Sequence, residues 1–509
     1  MPTAPSIEEI KERIDLFLLG LSNPVLLEPG KVVIDLSSSS YTFSTEYNKL
    51  LLQVWNDETN FVRHIVSIKK EAPNRMEIVY QKFGKEMTGT LILSQSKAEA
   101  GRLDRRSQRV RYVQNLRQYL GQIFPEWKVK QLTTEPALAQ SFSARFARGV
   151  LSRGQRAWAV IGISDKEENG REDILTFGLL WLDWLRKNSQ KQVIEGLRIF
   201  VPEGSSKTTL QRLAWMNADR FRWEVYETGD EVRKCEPAEE GNLTTALAPL
   251  PAAQHCSLAG RHWGPEIEAL NPVIQSFVGR DGDSTWTFRG LPFARETARG
   301  VVYGIGRSET MLGEGTWEDL QKLVLHIAQH RTPNPLDPNH PYFRLQPERW
   351  LQDLLMMQVD KLGESLLAEP VYRQVTNAGG LERGVLDLLA IDTSGRLAVV
   401  ELKASEDIHL PLQALDYWMR VRLHQQRGDL AKQGYFRGRE ISPQPPRLFL
   451  VSPGLQFHPA CDIVLRYFSP AIETVRIGLN ENWREHLKVM YWKREGSRTG
   501  KLEQMESSD

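Results

Sequence analysis

Cysteine is scarce in this sequence of 509 residues: Cys235, Cys256 and Cys461 are the three present, widely spaced and without a C-x-x-C pair. That excludes a disulfide framework and argues against a structural zinc site. His255, Cys256 and His262 lie near one another in sequence, but no fourth ligand has suitable spacing. Net charge is also lacking, at +1, so a nucleic-acid surface would have to be a local patch with acidic modules balancing it. No long hydrophobic run occurs; the most apolar helical stretch, Ile174 to Leu185, is interrupted by Asp183 and too short to span a bilayer. The first segment, Met1 to Leu21, carries Glu8, Glu9, Lys11, Glu12 and Asp15, which is unlike a signal peptide. A cytoplasmic location is the expectation.

What is present is ordinary globular composition, 41% hydrophobic and 25% charged, at a length that calls for about three or four domains. The expected fold class is multidomain, α/β and β-rich. Residues 1–98 read as a short helix (Ile7 to Leu21) and a β-rich domain, with strands Val32–Leu36, Leu50–Trp55, Phe61–Ile68, Met76–Tyr80 and Gly89–Leu93. Residues 99–230 read as an α/β domain. It opens with an arginine-rich helix bearing Arg102, Arg105, Arg106, Arg109, Arg111 and Arg117, either a solvated face or a phosphate-tracking surface. Residues 231–262 read as a linker, 263–338 as a connector α/β domain, 339–492 as the last domain and 493–509 as a disordered tail.

Chemistry concentrates in the last domain. Val385 to Ile391 and Leu397 to Lys403 read as two strands joined by the turn Asp392-Thr-Ser-Gly395. Alternation on a strand puts Glu401 and Lys403 on one face with Val399 and turns Leu402 away. A buried-type strand ending in Glu-x-Lys conflicts with mere core formation, as functional sites do. Hydrolysing a phosphodiester requires neutralising the phosphate and generating a hydroxide-like nucleophile. Asp387 and Glu401 are the candidate ligands for Mg2+ or Mn2+, which need few carboxylates and keep several waters. Lys403 is the candidate to orient or deprotonate the attacking water.

The arrangement D-(x)13-E-x-K resembles the PD-(D/E)XK, or restriction-endonuclease-like, superfamily, with Leu386 in place of the proline. Gln413-Ala-Leu-Asp-Tyr417 on a predicted helix looks like the Q-x-x-x-Y element of RecB-like and lambda-exonuclease-like members, in which the glutamine helps orient site and phosphate. Locally the Asp387 and Val-Val-Glu401-Leu-Lys403 segments are most similar to NucS-type mismatch endonucleases. The resemblance spans Arg383 to Arg420, with a preceding helix (Glu348 to Lys361) and a following strand (Arg447 to Val451). It implies a restriction-endonuclease-like core and a metal-dependent endonuclease in repair or defence. It implies catalytic roles for Asp387, Glu401, Lys403 and Gln413, with DNA favoured over RNA as partner. The alternative is a catalytically inactive module of the same fold that binds nucleic acid or protein.

Around that core, Glu348 and Glu382 are further candidate acids, and Gln352 stands one turn beyond Glu348, where a helix acid is expected. The run Arg420, Arg422, Arg427, Lys432, Arg437 and Arg439 offers a phosphate-binding surface or a solvated face. Tyr417 and Trp418 read as core or as base-stacking residues. Residues 157–204, with Leu179-Leu-Trp-Leu-Asp-Trp-Leu185 and Phe-Val-Pro-Glu-Gly204, echo Leu415-Asp-Tyr-Trp and Phe-Leu-Val-Ser-Pro-Gly454. The middle domain thus reads either as an ordinary α/β unit or as a degenerate copy of the last, without its acids and lysine.

Overall fold

A computed structural model describes residues 6–495 apart from short stretches, among them 82–87, 251–257 and 379–384. Its mixed α/β architecture contains sheets of seven, six, five and seven strands in chain order. No helix among the described residues is long and apolar enough to cross a membrane.

The N-terminal helix Ile7–Leu19 starts at a capping box, in which Ser6 and Glu9 each bond the other's main-chain N–H. Ile10, Ile14 and Leu18, one turn apart, bury its inner face on a wholly antiparallel seven-stranded sheet. Two of those strands, Val25–Glu28 and Ser40–Glu46, escape the sequence pattern. The first is short and continuously apolar, and the second is a polar edge strand.

The middle domain consists of α1 (Lys97–Ile123), β1 (Lys128–Thr133), β2 (Phe146–Arg153), β3 (Arg156–Ile163), α2 (Ile174–Asn188), β4 (Val193–Pro202), α3 (Lys207–Leu213), β5 (Arg222–Thr228) and β6 (Val232–Lys234). The six strands lie side by side in chain order. β3, β4 and β5 pair in parallel, and the other neighbours are antiparallel. Helices cover both faces, so β3 reads Ala-Trp-Ala-Val-Ile-Gly-Ile without a break. Ala157, Ala159, Ile161 and Ile163 pack toward α2, while Trp158 and Val160 meet Tyr112, Leu116 and Leu120 of α1. The described part of α1 is therefore amphipathic, and Arg109 is engaged with Glu167 at 2.6 Å.

The connector unit is a five-stranded antiparallel sheet flanked by helices Leu258–Ala269 and Trp317–His330. Fully buried Arg331, just past the second helix, donates to the main-chain carbonyls of Phe288, Tyr342 and Leu345, tying this unit to the start of the last domain.

The last domain runs α4 (Pro347–Met356), β7 (Tyr372–Ala378), β8 (Val385–Ile391), β9 (Leu397–Leu402), α5 (Leu410–Arg427), β10 (Arg447–Pro453), α6 (Ala460–Leu465), β11 (Thr474–Leu479) and β12 (Val489–Arg494). Its strand order and its parallel and antiparallel pairings repeat those of β1–β6. α4 covers one face of the sheet, as α1 does, and α5 the other, as α2 does.

Residues 231–262 are not a free linker. Val232–Lys234 is the edge strand β6, Pro237–Glu240 is a helical turn, and Ala246–Leu247 pairs with β7 at the edge of the last sheet. Strands of two or three residues are too short to leave a pattern amid Gly, Ala and Pro. β12 likewise carries the last domain through Arg494, and residues 496–509 lie outside the described ones.

Candidate active site

The β8–β9 hairpin is set by its turn. Asp392 accepts from the main-chain N–H groups of Ser394 (2.8 Å) and Arg396 (2.9 Å), and Gly395 has φ +78°, where a Cβ would lie 2.3 Å from the Glu440 carbonyl oxygen. The resulting register pairs Leu388 with Val400 and Leu389 with Val399, which brings Asp387 opposite Glu401. Leu389, Ile391, Leu397 and Val399 fill the core under α5, whereas Leu388, Ala390, Ala398, Val400 and Leu402 pack against α4. By alternation Asp387 and Glu401 continue the α5 face. Asp387 accepts from the Leu402 N–H at 3.1 Å, and the Lys403 N–H extends the sheet to Val451 at 3.0 Å.

Lys403 Nζ lies 3.6 Å from Glu401, 3.9 Å from Glu348 at the start of α4 and 3.9 Å from Asp407. Glu348 is thus the helix acid of the group, and the first turn, after Pro347, suits a carboxylate. One turn later Gln352 donates its amide to the main-chain carbonyl of Asp387 at 2.7 Å, so it holds the strand rather than a ligand. Glu382 lies outside the described residues.

Lys403 and Gln413 line a cavity of about 360 Å³ together with Tyr417 and Arg420 of α5. Its opposite wall belongs to the middle domain: Asp173, Thr176 and Arg212. Glu401, 2% exposed, lies beneath this lining, and its Oε2, like Oε1 of Gln413, is buried without a hydrogen-bond partner in the protein.

Burial pushes the carboxyls of Asp387, Glu401 and Glu348 above their ordinary range. Glu401 rises furthest, because nearby Asp387 adds repulsion to complete burial. Burial alone would lower the Lys403 ammonium; Glu401, Glu348, Asp387 and Asp407 outweigh it and hold the group above its usual value. Without a further cation, burial and Asp387 favour the neutral form of Glu401. Buried Glu401, with an unpartnered carboxylate oxygen, and partly buried Asp387 beside it fit a hard divalent cation.

The other sequence candidates separate. Trp418 is fully buried and donates to the Pro446 carbonyl, so it is core, whereas Tyr417 reaches the cavity. Within the basic run only Arg420 is among the lining residues of that cavity; Arg422 is bonded to Gln425 and the Pro443 carbonyl. Cys256 and His255 lie outside the described residues, and His262 lies against Trp263. Sequence reasoning missed a histidine group, His326, His330 and His340, whose i,i+4 spacing on one helix was its signal. The His330 and His340 rings stack at 3.6 Å and 7°, so no ion can lie in both ring planes as they stand. It also missed Arg212 and Asp173, which have no local signal because they come from the other domain.

Compared with known proteins, the chain matches no family model and no curated protein.

Proposed function

We propose that the last domain has the restriction-endonuclease-like core and acts as a metal-dependent endonuclease, hydrolysing phosphodiester bonds in DNA. One observation carries this reading: buried Glu401, partly buried Asp387 and more exposed Glu348 crowd around Lys403 beside a cavity edged by Gln413. A structural ion pair needs one acid. Surplus buried acids are costly unless a ligand compensates them, and such conflicts mark functional sites. The element order from α4 to β11, with the acids on a hairpin and the glutamine on the next helix, supports the same fold assignment.

Asp387 and Glu401 are the residues that would hold Mg2+ or Mn2+. A bound ion of this class supplies charge neutralisation at the phosphate and a more acidic water. The chain's own residues do the rest. Lys403, whose ammonium the acids hold above its usual value, orients the water rather than deprotonating it, Gln413 and Arg420 face the phosphate from α5, and Gln352 keeps Asp387 in line.

The test is incubation of the purified chain with linear, nicked, branched and mismatched DNA, and with RNA, in Mg2+, Mn2+ or EDTA. Metal-dependent cutting by the wild type, abolished by Asp387→Asn, is the expected result. Undiminished cutting in EDTA after rigorous metal removal, or equal cutting by Asp387→Asn, overturns the proposal. Cutting of RNA alone would replace DNA as substrate.

A further inference from the structure

The middle and last domains share more than strand order. Met216 and Phe468 form an antiparallel bridge between them. Around it Asn217 N–H donates to the Tyr467 carbonyl at 2.8 Å and Ser469 N–H to the Trp215 carbonyl at 2.9 Å. Met216 follows the end of α3, at Leu213, by the same interval at which Phe468 follows the end of α6, at Leu465. Equivalent residues exchanging equivalent bonds are the mark of a twofold axis. Ion pairs also cross the junction in both directions, though not from equivalent positions: Arg212 of α3 binds Asp416 of α5 at 2.7 Å, and Arg466, next to α6, binds Asp183 of α2 at 2.9 Å. The apolar residues of both domains facing this axis merge into one core. Two copies of one fold are joined here as an isologous dimer is, within a single chain.

The register identifies the second copy's counterpart of the site. Glu401 pairs with Leu450, three residues before Pro453, the last residue of β10. Ile161 pairs with Ile199, three residues before Pro202, the last residue of β4. Ile161 therefore occupies the place of Glu401 and Ile163 that of Lys403. Arg148, the partner of Ile161 across β2 and β3, occupies the place of Asp387. All three are buried, at 0%, 0% and 4% exposure. The Arg148 guanidinium donates to the carbonyls of Ser143 and Glu135 and lies 4.7 Å from the Phe142 ring centre. An arginine and two isoleucines cannot hold a divalent cation, and the aromatic packing closes the space.

We infer that the chain is a built-in pair with one working site and one sealed site, so that each binding event on duplex DNA breaks one strand and leaves the other intact. The inference rests on the nuclease reading of the last domain. Twofold-related sites address the two antiparallel strands of a duplex, and here only one member of the pair has the acids and the lysine. Each event adds one water across one phosphodiester. The water oxygen bonds to phosphorus, the bond to the leaving oxygen breaks, and the products are one hydroxyl end and one phosphate end.

The experiment is a time course on covalently closed supercoiled plasmid, with limiting wild-type chain and Mg2+ or Mn2+. Open circles should accumulate first, and linear molecules should arise only after a lag, as random second nicks fall opposite earlier ones. Linear product growing from the first time points alongside open circles overturns the inference and leaves the nuclease reading standing. Failure to cut this plasmid and every other form of DNA, nicked, branched or mismatched, overturns the reading of the chain as a DNA endonuclease and, with it, this inference.

Discussion

Gln352 of α4 reaches across to β8 and donates its side-chain amide to the main-chain carbonyl of Asp387 at 2.7 Å. The glutamine is 4% exposed, so the bond is made where water cannot replace it. It fixes the backbone that carries one of the two candidate metal ligands.

Gln352→Leu keeps the apolar contacts and strands that carbonyl. The expected stability loss is about 1–3 kcal/mol, the cost of an unmade buried hydrogen bond. Cleavage should fall further than stability explains, because displacing a ligand by about 1 Å is worth roughly 100-fold in rate. Urea unfolding and single-turnover cleavage on the same variant check both. Full activity with the stability loss would make Gln352 a purely structural residue.

The acids impose an unusual pH dependence. Burial first and Asp387 second hold the Glu401 carboxyl well above 4.5, so the folded chain binds a proton there that the unfolded chain releases. From the ordinary carboxylate range up to that raised value, this group's contribution to stability falls as pH rises. Lys403, held above 10.5, contributes fully below that value and loses its contribution only at more alkaline pH. Metal-free wild type should therefore lose melting temperature relative to Glu401→Gln as pH rises above the ordinary carboxylate range. Parallel melting curves for the two proteins over that rise would refute the crowding of charges at the site.

The reciprocal ion pairs differ in burial, and so should their importance. Arg212 is 5% exposed and also meets the Glu172 carbonyl, so Arg212→Ala leaves Asp416 with an uncompensated charge at the domain junction. A loss of about 3–5 kcal/mol is expected. Arg466 is 46% exposed, and its partner Asp183 retains Lys187 at 2.8 Å, so Arg466→Ala should cost about 0–1 kcal/mol. Denaturant titrations of both variants decide it; equal losses would contradict the argument from burial.

What the sequence makes legible is local. The hairpin, its turn and the shared face of Glu401 and Lys403 follow from alternation and from Asp392 and Gly395, all within about twenty residues. The role of Gln352 is hidden, since an amide one turn past Glu348 reads as a missing acid until its distance to the Asp387 carbonyl is known. Arg212 and Asp416, or Met216 and Phe468, stand more than two hundred residues apart and leave no periodic trace. The strap at 232–247 fails for the opposite reason, because its strands are too short to have a period. The shared topology of the middle and last domains is visible only faintly, in Leu182-Asp183-Trp184 and Leu415-Asp416-Tyr417. With Ile161 and Arg148 at the register positions of Glu401 and Asp387, the middle domain's sheet reads in sequence only as core.

Lys403 separates catalysis from mere pairing. Its ammonium faces Glu401, Glu348 and Asp407 and lines the cavity. If it orients or activates water, Lys403→Met, which keeps most of the stem, should cut single-turnover cleavage by about 100-fold or more. DNA affinity should hardly move, because one cation accounts for about one unit of the salt slope. If the lysine only neutralises Glu401, its removal leaves a buried acid unpaired, and stability should fall by a few kcal/mol, most steeply where Glu401 is ionised. The surplus of acids favours the first outcome, since Glu401 can retain a proton when the ammonium is gone. Cleavage, DNA titration and thermal melts on the one variant distinguish the two. A stable Lys403→Met chain that cuts as fast as wild type would strip Lys403 of any part in the chemistry and leave the two carboxylates to carry it.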